Sequence, residues 1–336
     1  MHPIQRSESF DFKRGPAYTG IGSLPFQDDA VAARHVRAFY PRFPFLPEIA
    51  RPCGGGTMLH DVLPVELLPK LRGRGLDLPV TGFEDEAERF FDYDARTLAA
   101  TRHIDGIERA LLNLEDLDQS TPLKAQIAGP CTLLASMRDA WQQPLWHVEA
   151  IRDAVSLYLA ALAAESARRV HAAHPLAALF LDEPMLGHLE NSGEADGALR
   201  TLAPAIEAIR GAGLAVGLHV CSTPPFAIID RLELDFCSLD LVRYGREIEA
   251  EGRRLAGLSR RGTRLVLGVV PVLGDERTPP PCDLLRSFLG ALPAADQDAV
   301  SERLLLSPSC GTLLAPPDRE EAIALALRCA AEELSQ

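Results

Sequence analysis

Long hydrophobic runs are missing from this chain. No window of its 336 residues approaches eighteen uncharged apolar positions, so no membrane-spanning helix is expected. The first ten residues, Met1 to Phe10, are polar and lack the apolar centre of a secretory leader. Positive charge is also short. Lys and Arg number 34 against 47 Asp and Glu, a formal net charge of -13. That balance argues against nucleic acid or an anionic membrane as the main partner. Nor is there a disulfide framework: seven cysteines, an odd number with uneven spacing, read as reduced thiols in a cytoplasmic protein. No repeat period and no low-complexity tract interrupts the sequence.

What is present is an alternation of short apolar runs with helical patterns over almost the whole length, the mark of a parallel α/β architecture. The runs Ala17–Leu24, Leu123–Ile127, Ala177–Leu181, Leu214–Val220, Leu234–Leu239, Leu265–Val270 and Leu304–Ser307 read as strands. An eighth is needed near Thr57–Leu63 or Leu78–Thr81. Eight strands close a (β/α)8 TIM barrel. Helices are expected over Asp28–Tyr40, Glu84–Leu98, Ile104–Leu112, Leu145–Ala172, Ala195–Gly211, Pro225–Arg231, Glu247–Leu258, Pro281–Leu289 and Pro317–Leu334. Several begin at or near proline, which suits a first helical turn. The expected organisation is a flexible lead-in over 1–16 and a single barrel domain over 17–336. The Pro- and Gly-rich stretch Pro41–Pro79 is expected as an insertion over one end of the barrel.

In such a barrel the chemistry lies at the C-terminal ends of the strands. Polar punctuation recurs there: Gly20-Ile21-Gly22-Ser23, Gly129-Pro130-Cys131-Thr132, Asp182-Glu183-Pro184, His219-Val220-Cys221-Ser222, Asp240, and Ser309-Cys310-Gly311. Taken singly, each is compatible with turn chemistry, and a buried Cys or strand-end His is commonly structural. Together, an imidazole and two thiols at the ends of different strands are a donor set for a borderline cation, zinc above all. Three protein ligands leave a position for a substrate thiol, whose thiolate is the nucleophile. Cys131, Cys237, Cys282, Cys329 and Cys53 have no comparable setting.

The ordered set Ile21-Gly22-Ser23, Asp182-Glu183-Pro184, His219-Val220-Cys221 and Cys310-Gly311 resembles the C-terminal catalytic barrel of cobalamin-independent methionine synthase. It is also similar to zinc-dependent corrinoid methyltransferases of the uroporphyrinogen decarboxylase-like superfamily. The resemblance implies a (β/α)8 barrel whose zinc activates a thiol, homocysteine in the synthase, for attack on a methyl donor. It implies His219, Cys221 and Cys310 as metal ligands. The synthase carries a further Glu ligand after the next strand, and Asp240 stands near that place, as a ligand or behind the ligands. The turn Ile21-Gly22-Ser23 matches the segment that holds the substrate carboxylate, and Asp182 matches the acid that pairs with its amino group. Glu183 and Glu84 fall beside these as further substrate-binding groups.

Two departures bear on the donor. The N-terminal barrel of the full synthases, which helps bind folate, has no counterpart here. The Trp that follows the Gly-Pro segment in the family is replaced by Ala135-Ser136-Met137. Both point away from folate, toward a methylcorrinoid, free or on a corrinoid protein, or another small methyl donor. Two other readings stay open: a metal-free decarboxylase of the porphyrinogen type, and a non-catalytic zinc- or corrinoid-binding partner subunit. The small-molecule partner in the first reading is a thiol.

Overall fold

The computed structural model describes residues 10, 12, 17–49, 58–64, 76–77, 93–139, 141–273 and 278–334. The strands, in chain order, are β1 (Ala17–Tyr18), β2 (Ser23–Leu24), β3 (Glu48–Ile49), β4 (Leu76–Asp77), β5 (Leu123–Ala128), β6 (Met137–Arg138), β7 (Ala177–Asp182), β8 (Ala215–Val220), β9 (Phe236–Asp240), β10 (Arg264–Val270) and β11 (Leu305–Pro308). Seven of them form one curled parallel sheet in the order β1-β11-β10-β9-β8-β7-β5. Every residue of β5, β7, β8, β9, β10 and β11 is buried, as strands covered on both faces must be.

The period of two divides these strands cleanly. Leu179, Leu181, Val216, Leu218, Leu239, Leu265, Leu267 and Leu306 join the large cluster that includes the covering helices. Ala178, Phe180, Ala215, Phe236, Val266 and Leu305 face the other way and join a second, separate cluster. That inner cluster is completed by Phe10, Phe12 and Phe43. Its rings meet edge-on or tilted, with Phe10 to Phe236 at 5.2 Å and Phe180 to Phe236 at 5.5 Å between centroids. Such pairs add to the gain from burial alone. Gly217 leaves room for this layer, since a Cβ there would lie 2.4 Å from the Phe180 ring. Of the expected lead-in over 1–16, Phe10 and Phe12 are described, and the other residues lie outside the described ones. Both are buried, and their carbonyls accept from Arg264 Nη2 at 2.9 Å and Arg42 Nη2 at 2.7 Å.

The expected first strand, Ala17–Leu24, is two short pieces. β1 pairs with β11 and β2 pairs with β3. Residues 58–61 of the expected Thr57–Leu63 strand are helix Met58–Asp61 instead, and Leu78–Thr81 lies outside the described residues. The neighbour of β5 on its free side is Phe45, bridged in parallel to Lys124. Leu46 N donates to Lys124 O at 2.8 Å and Lys124 N to Pro44 O at 2.9 Å. Farther along the same segment, Glu48 N donates to Gly22 O at 2.9 Å.

The helices follow the expected plan closely. Helix Asp29–Phe39 is capped by Asp28, whose side chain accepts from Val31 N, as the acidic pair implies. Helices Arg102–Asn113, Glu149–Ala173, Ala195–Gly211, Pro281–Ala291 and Pro317–Leu334 are present. The expected Glu247–Leu258 helix is two, Leu241–Ala250 and Gly252–Arg260. Of the expected Glu84–Leu98 helix, residues 84–92 lie outside the described residues and Ala95–Ala99 is helical. Among the described residues no helix is long and apolar enough to cross a membrane.

Candidate metal and thiol site

Parity on the strands selects which side chains meet. Phe180 faces inward, so Asp182, two residues on, does too; the same holds for His219 after Gly217 and for Ser238 after Phe236. Asp182 is register partner to His219, and His219 to Ser238. The inner face is therefore apolar at the start of the strands and polar at their C-terminal ends.

His219, Cys221 and Cys310 converge there. One nitrogen and two sulfurs lie within 4.8 Å of one another. His219 is 3% exposed. Its Nδ1 lies 2.9 Å from Ser238 Oγ, while its buried Nε2 has no hydrogen-bond partner. With the Nδ1 proton given to Ser238, Nε2 presents a lone pair, and burial pushes the ring's pKa down and keeps it neutral. Cys310 is drawn below the ordinary thiol range, chiefly by the adjacent Cys221 thiol. Cys221 is pushed the opposite way, by the same sulfur pair and by burial. The pair thus favours one thiolate beside one neutral imidazole. An orphaned ring nitrogen and two soft sulfurs fit zinc, whose N and S ligands stand roughly 3.5 Å apart around a tetrahedral ion. Removing the outer partner provides a check: Ser238→Ala is expected to weaken zinc binding about tenfold, measured by chelator competition.

The Ile21-Gly22-Ser23 turn is fastened to the cysteine loop. Thr312 N and Oγ1 both donate to Ser23 O, at 2.9 and 3.1 Å. A Cβ on Gly311 would lie 2.8 Å from Ser23 Oγ. Gly22 adopts φ +147°, in the region that favours glycine, and a Cβ there would meet the Gln126 side chain at 2.5 Å. Ile21 is buried and its carbonyl accepts from Lys124 Nζ. Asp182 is 6% exposed, and its Oδ1 is buried without a partner. Burial raises its pKa, Lys124 opposes the rise, and Glu48 and the Cys310 thiolate add to it. Ile21, Gly22, Ser23, Asp182 and the three donors therefore share one end of the sheet.

Two expected site residues each cap a helix. Glu183 points to the opposite face from Asp182 and caps helix Pro130–Ser136. Its Oε1 accepts from Cys131 N at 2.9 Å, and its Oε2 from Thr132 N at 2.7 Å and Thr132 Oγ1 at 2.6 Å. Asp240 caps helix Leu241–Ala250, accepting from Arg243 N at 3.0 Å, and stands outside the group of three donors. Glu84 lies outside the described residues. Two further groups were not singled out in the sequence. Lys124, 1% exposed on β5, carries the one buried ammonium described at the site. Glu48 on β3 lies close enough to Lys124 and Asp182 to affect both charges.

No protein-family model and no curated protein matches the chain. Solved structures are similar in fold. A methyltransferase from Methanosarcina mazei superposes with a TM-score of 0.64 at 13% identity, covering 99% of this chain and 98% of that one. A B12-independent methionine synthase from Shewanella sp. W3-18-1, in complex with selenomethionine, gives a TM-score of 0.52 at 19% identity over 68% of this chain. The chain spans 66% of that protein's length. At these identities the likeness establishes an α/β fold of the kind those enzymes use.

Proposed function

We propose that residues 17–336 form a single (β/α)8 barrel, with 44–49 as the stave between β5 and β2, that methylates a thiol. The observation that carries this reading is the convergence of one His219 ring nitrogen and the sulfurs of Cys221 and Cys310 at the end of the sheet where Asp182 Oδ1 is buried without a partner. His219, Cys221 and Cys310 would hold zinc, which supplies a Lewis-acidic position that keeps a substrate thiol deprotonated near neutral pH. Ser238 fixes the ring so that Nε2 faces the site. Asp182 takes the amino group of the acceptor, and the Ile21-Gly22-Ser23 turn takes its carboxylate, which makes homocysteine the acceptor and methionine the product. Held at both polar ends, the acceptor sulfur is presented to the donor in one orientation, and such positioning accounts for much of the rate enhancement in displacement reactions. The sulfur forms the new bond to the methyl carbon as the donor leaves with the electrons of the old one. Ala135 and Met137, where the synthases carry Trp, support a methylcorrinoid as donor, free or on a corrinoid protein.

The test is methyl transfer from methylcobalamin to homocysteine by metal-analysed protein. Stoichiometric zinc with methionine formation supports the proposal. Zinc without turnover would mark a non-catalytic binding protein, and a chain that takes no zinc would leave the decarboxylase reading in its place.

A further inference from the structure

Lys124 is a long cationic side chain enclosed in the inner face of the sheet. It pairs in register with Ala178, two inward positions before Asp182, which pairs with Ala128. From there its ammonium donates to Ile21 O and to Gln126 Oε1 at 3.2 Å, and lies 4.8 Å from the centre of the Phe180 ring. Gln126 is itself held, donating to Leu46 O at 2.9 Å. The ammonium is thus tethered on three sides. Among the described residues it makes no ion-pair contact with Asp182, whose Oδ1 stays unpartnered. Direct pairing would satisfy that carboxylate within the protein and close it to any ligand. A buried carboxylate with no cation near it, by contrast, would be a costly charge to hold ready for a ligand.

We propose that Lys124 is a positioning residue that compensates Asp182 at a distance, keeping that carboxylate open to an external ammonium and so restricting the acceptor to thiols that carry an amine. This rests on the reading of the site as a thiol site. Each acid and base near the ammonium fits the arrangement. Burial lowers its pKa to about 8, with Asp182 and Glu48 both opposing the fall and favouring its charge. The selectivity follows from competition: an amine-free thiol leaves the carboxylate without a partner, an unfavourable state in a buried site.

The experiment compares binding of homocysteine and 4-mercaptobutanoate, the same chain without the amine, to zinc-loaded protein by calorimetry. Wild type is expected to prefer homocysteine by roughly tenfold or more, the scale of a charge-assisted hydrogen bond. Lys124→Gln keeps a donor for Ile21 O but removes the charge, and should bring the ratio toward one with zinc content unchanged. Lys124→Arg should keep most of the preference. A Lys124→Gln protein that retains the wild-type ratio would overturn the role of Lys124 alone. A wild type that binds neither thiol, or prefers the amine-free one, would overturn the acceptor reading and this proposal with it. If Lys124→Gln does not fold, the exchange is made in an Asp182→Asn background. There it should leave the already reduced ratio unchanged, and a further change would show that Lys124 acts by another route.

Discussion

Cys310→Ser is expected to leave the fold intact and to strip most of the zinc from the protein. Cys310 is solvent-exposed and sits on a loop rather than in the core, so its replacement should change stability by no more than about 0.5 kcal/mol. The hydroxyl is a much harder ligand than a thiolate, and loss of one of three protein ligands should exceed the ~10–100-fold penalty of losing an outer partner. Zinc per chain after exhaustive dialysis, read beside the melting temperature, separates the two effects. His219→Ala should lose metal as well, but it also leaves Ser238 without a partner in a buried place, so its melting temperature should fall. Cys329→Ser, exposed on helix Pro317–Leu334, should alter neither metal nor activity. Full zinc retention in both ligand variants would remove the basis of the proposed chemistry.

Glu183→Ala should act in the opposite sense, on stability rather than on chemistry. Its carboxylate satisfies two backbone amides and a hydroxyl at the start of helix Pro130–Ser136. Removing it leaves those donors buried and unpaired, a cost of about 3 kcal/mol or more, read as a fall of several degrees in melting temperature. Homocysteine affinity of the folded fraction should be unchanged. A variant with wild-type stability and lost affinity would instead return Glu183 to the substrate site, where its neighbour Asp182 had placed it.

That pair shows how the sequence could be read further. Asp182 and Glu183 are adjacent on an extended segment, so they face opposite ways, and the inward set Ala178, Phe180, Asp182 leaves Glu183 to the helices. The long strands were legible because parallel strands buried on both faces are continuous apolar runs, and Ala177–Asp182, Ala215–Val220 and Leu305–Pro308 fall within a residue or two of expectation. The partner of β5 was not. Residues 44–49 hold two prolines and a glutamate, while the apolar 57–63 stretch, which fits a strand or a short helix equally, is helical over Met58–Asp61. Leu123-Lys124-Ala125-Gln126-Ile127 alternates like a strand with a wet face, yet its polar face turns inward. Alternation identifies two faces but not which of them meets solvent. Phe10 and Phe12 carried no signal because their partners, Phe43, Phe236 and Arg264, come from remote parts of the chain. The convergence of His219, Cys221 and Cys310 was legible because His and Cys at several strand ends have few other reasons to coincide.

The aromatic layer at the beginning of the strands has a kinetic consequence. A cup with a filled base admits its contents from the rim alone, so on the proposed reading acceptor and donor would share one doorway. The small thiol, drawn down toward Asp182, would have to be in place before a bulky methyl carrier settled above it. The methylated product, formed underneath, would depart only after that carrier had withdrawn.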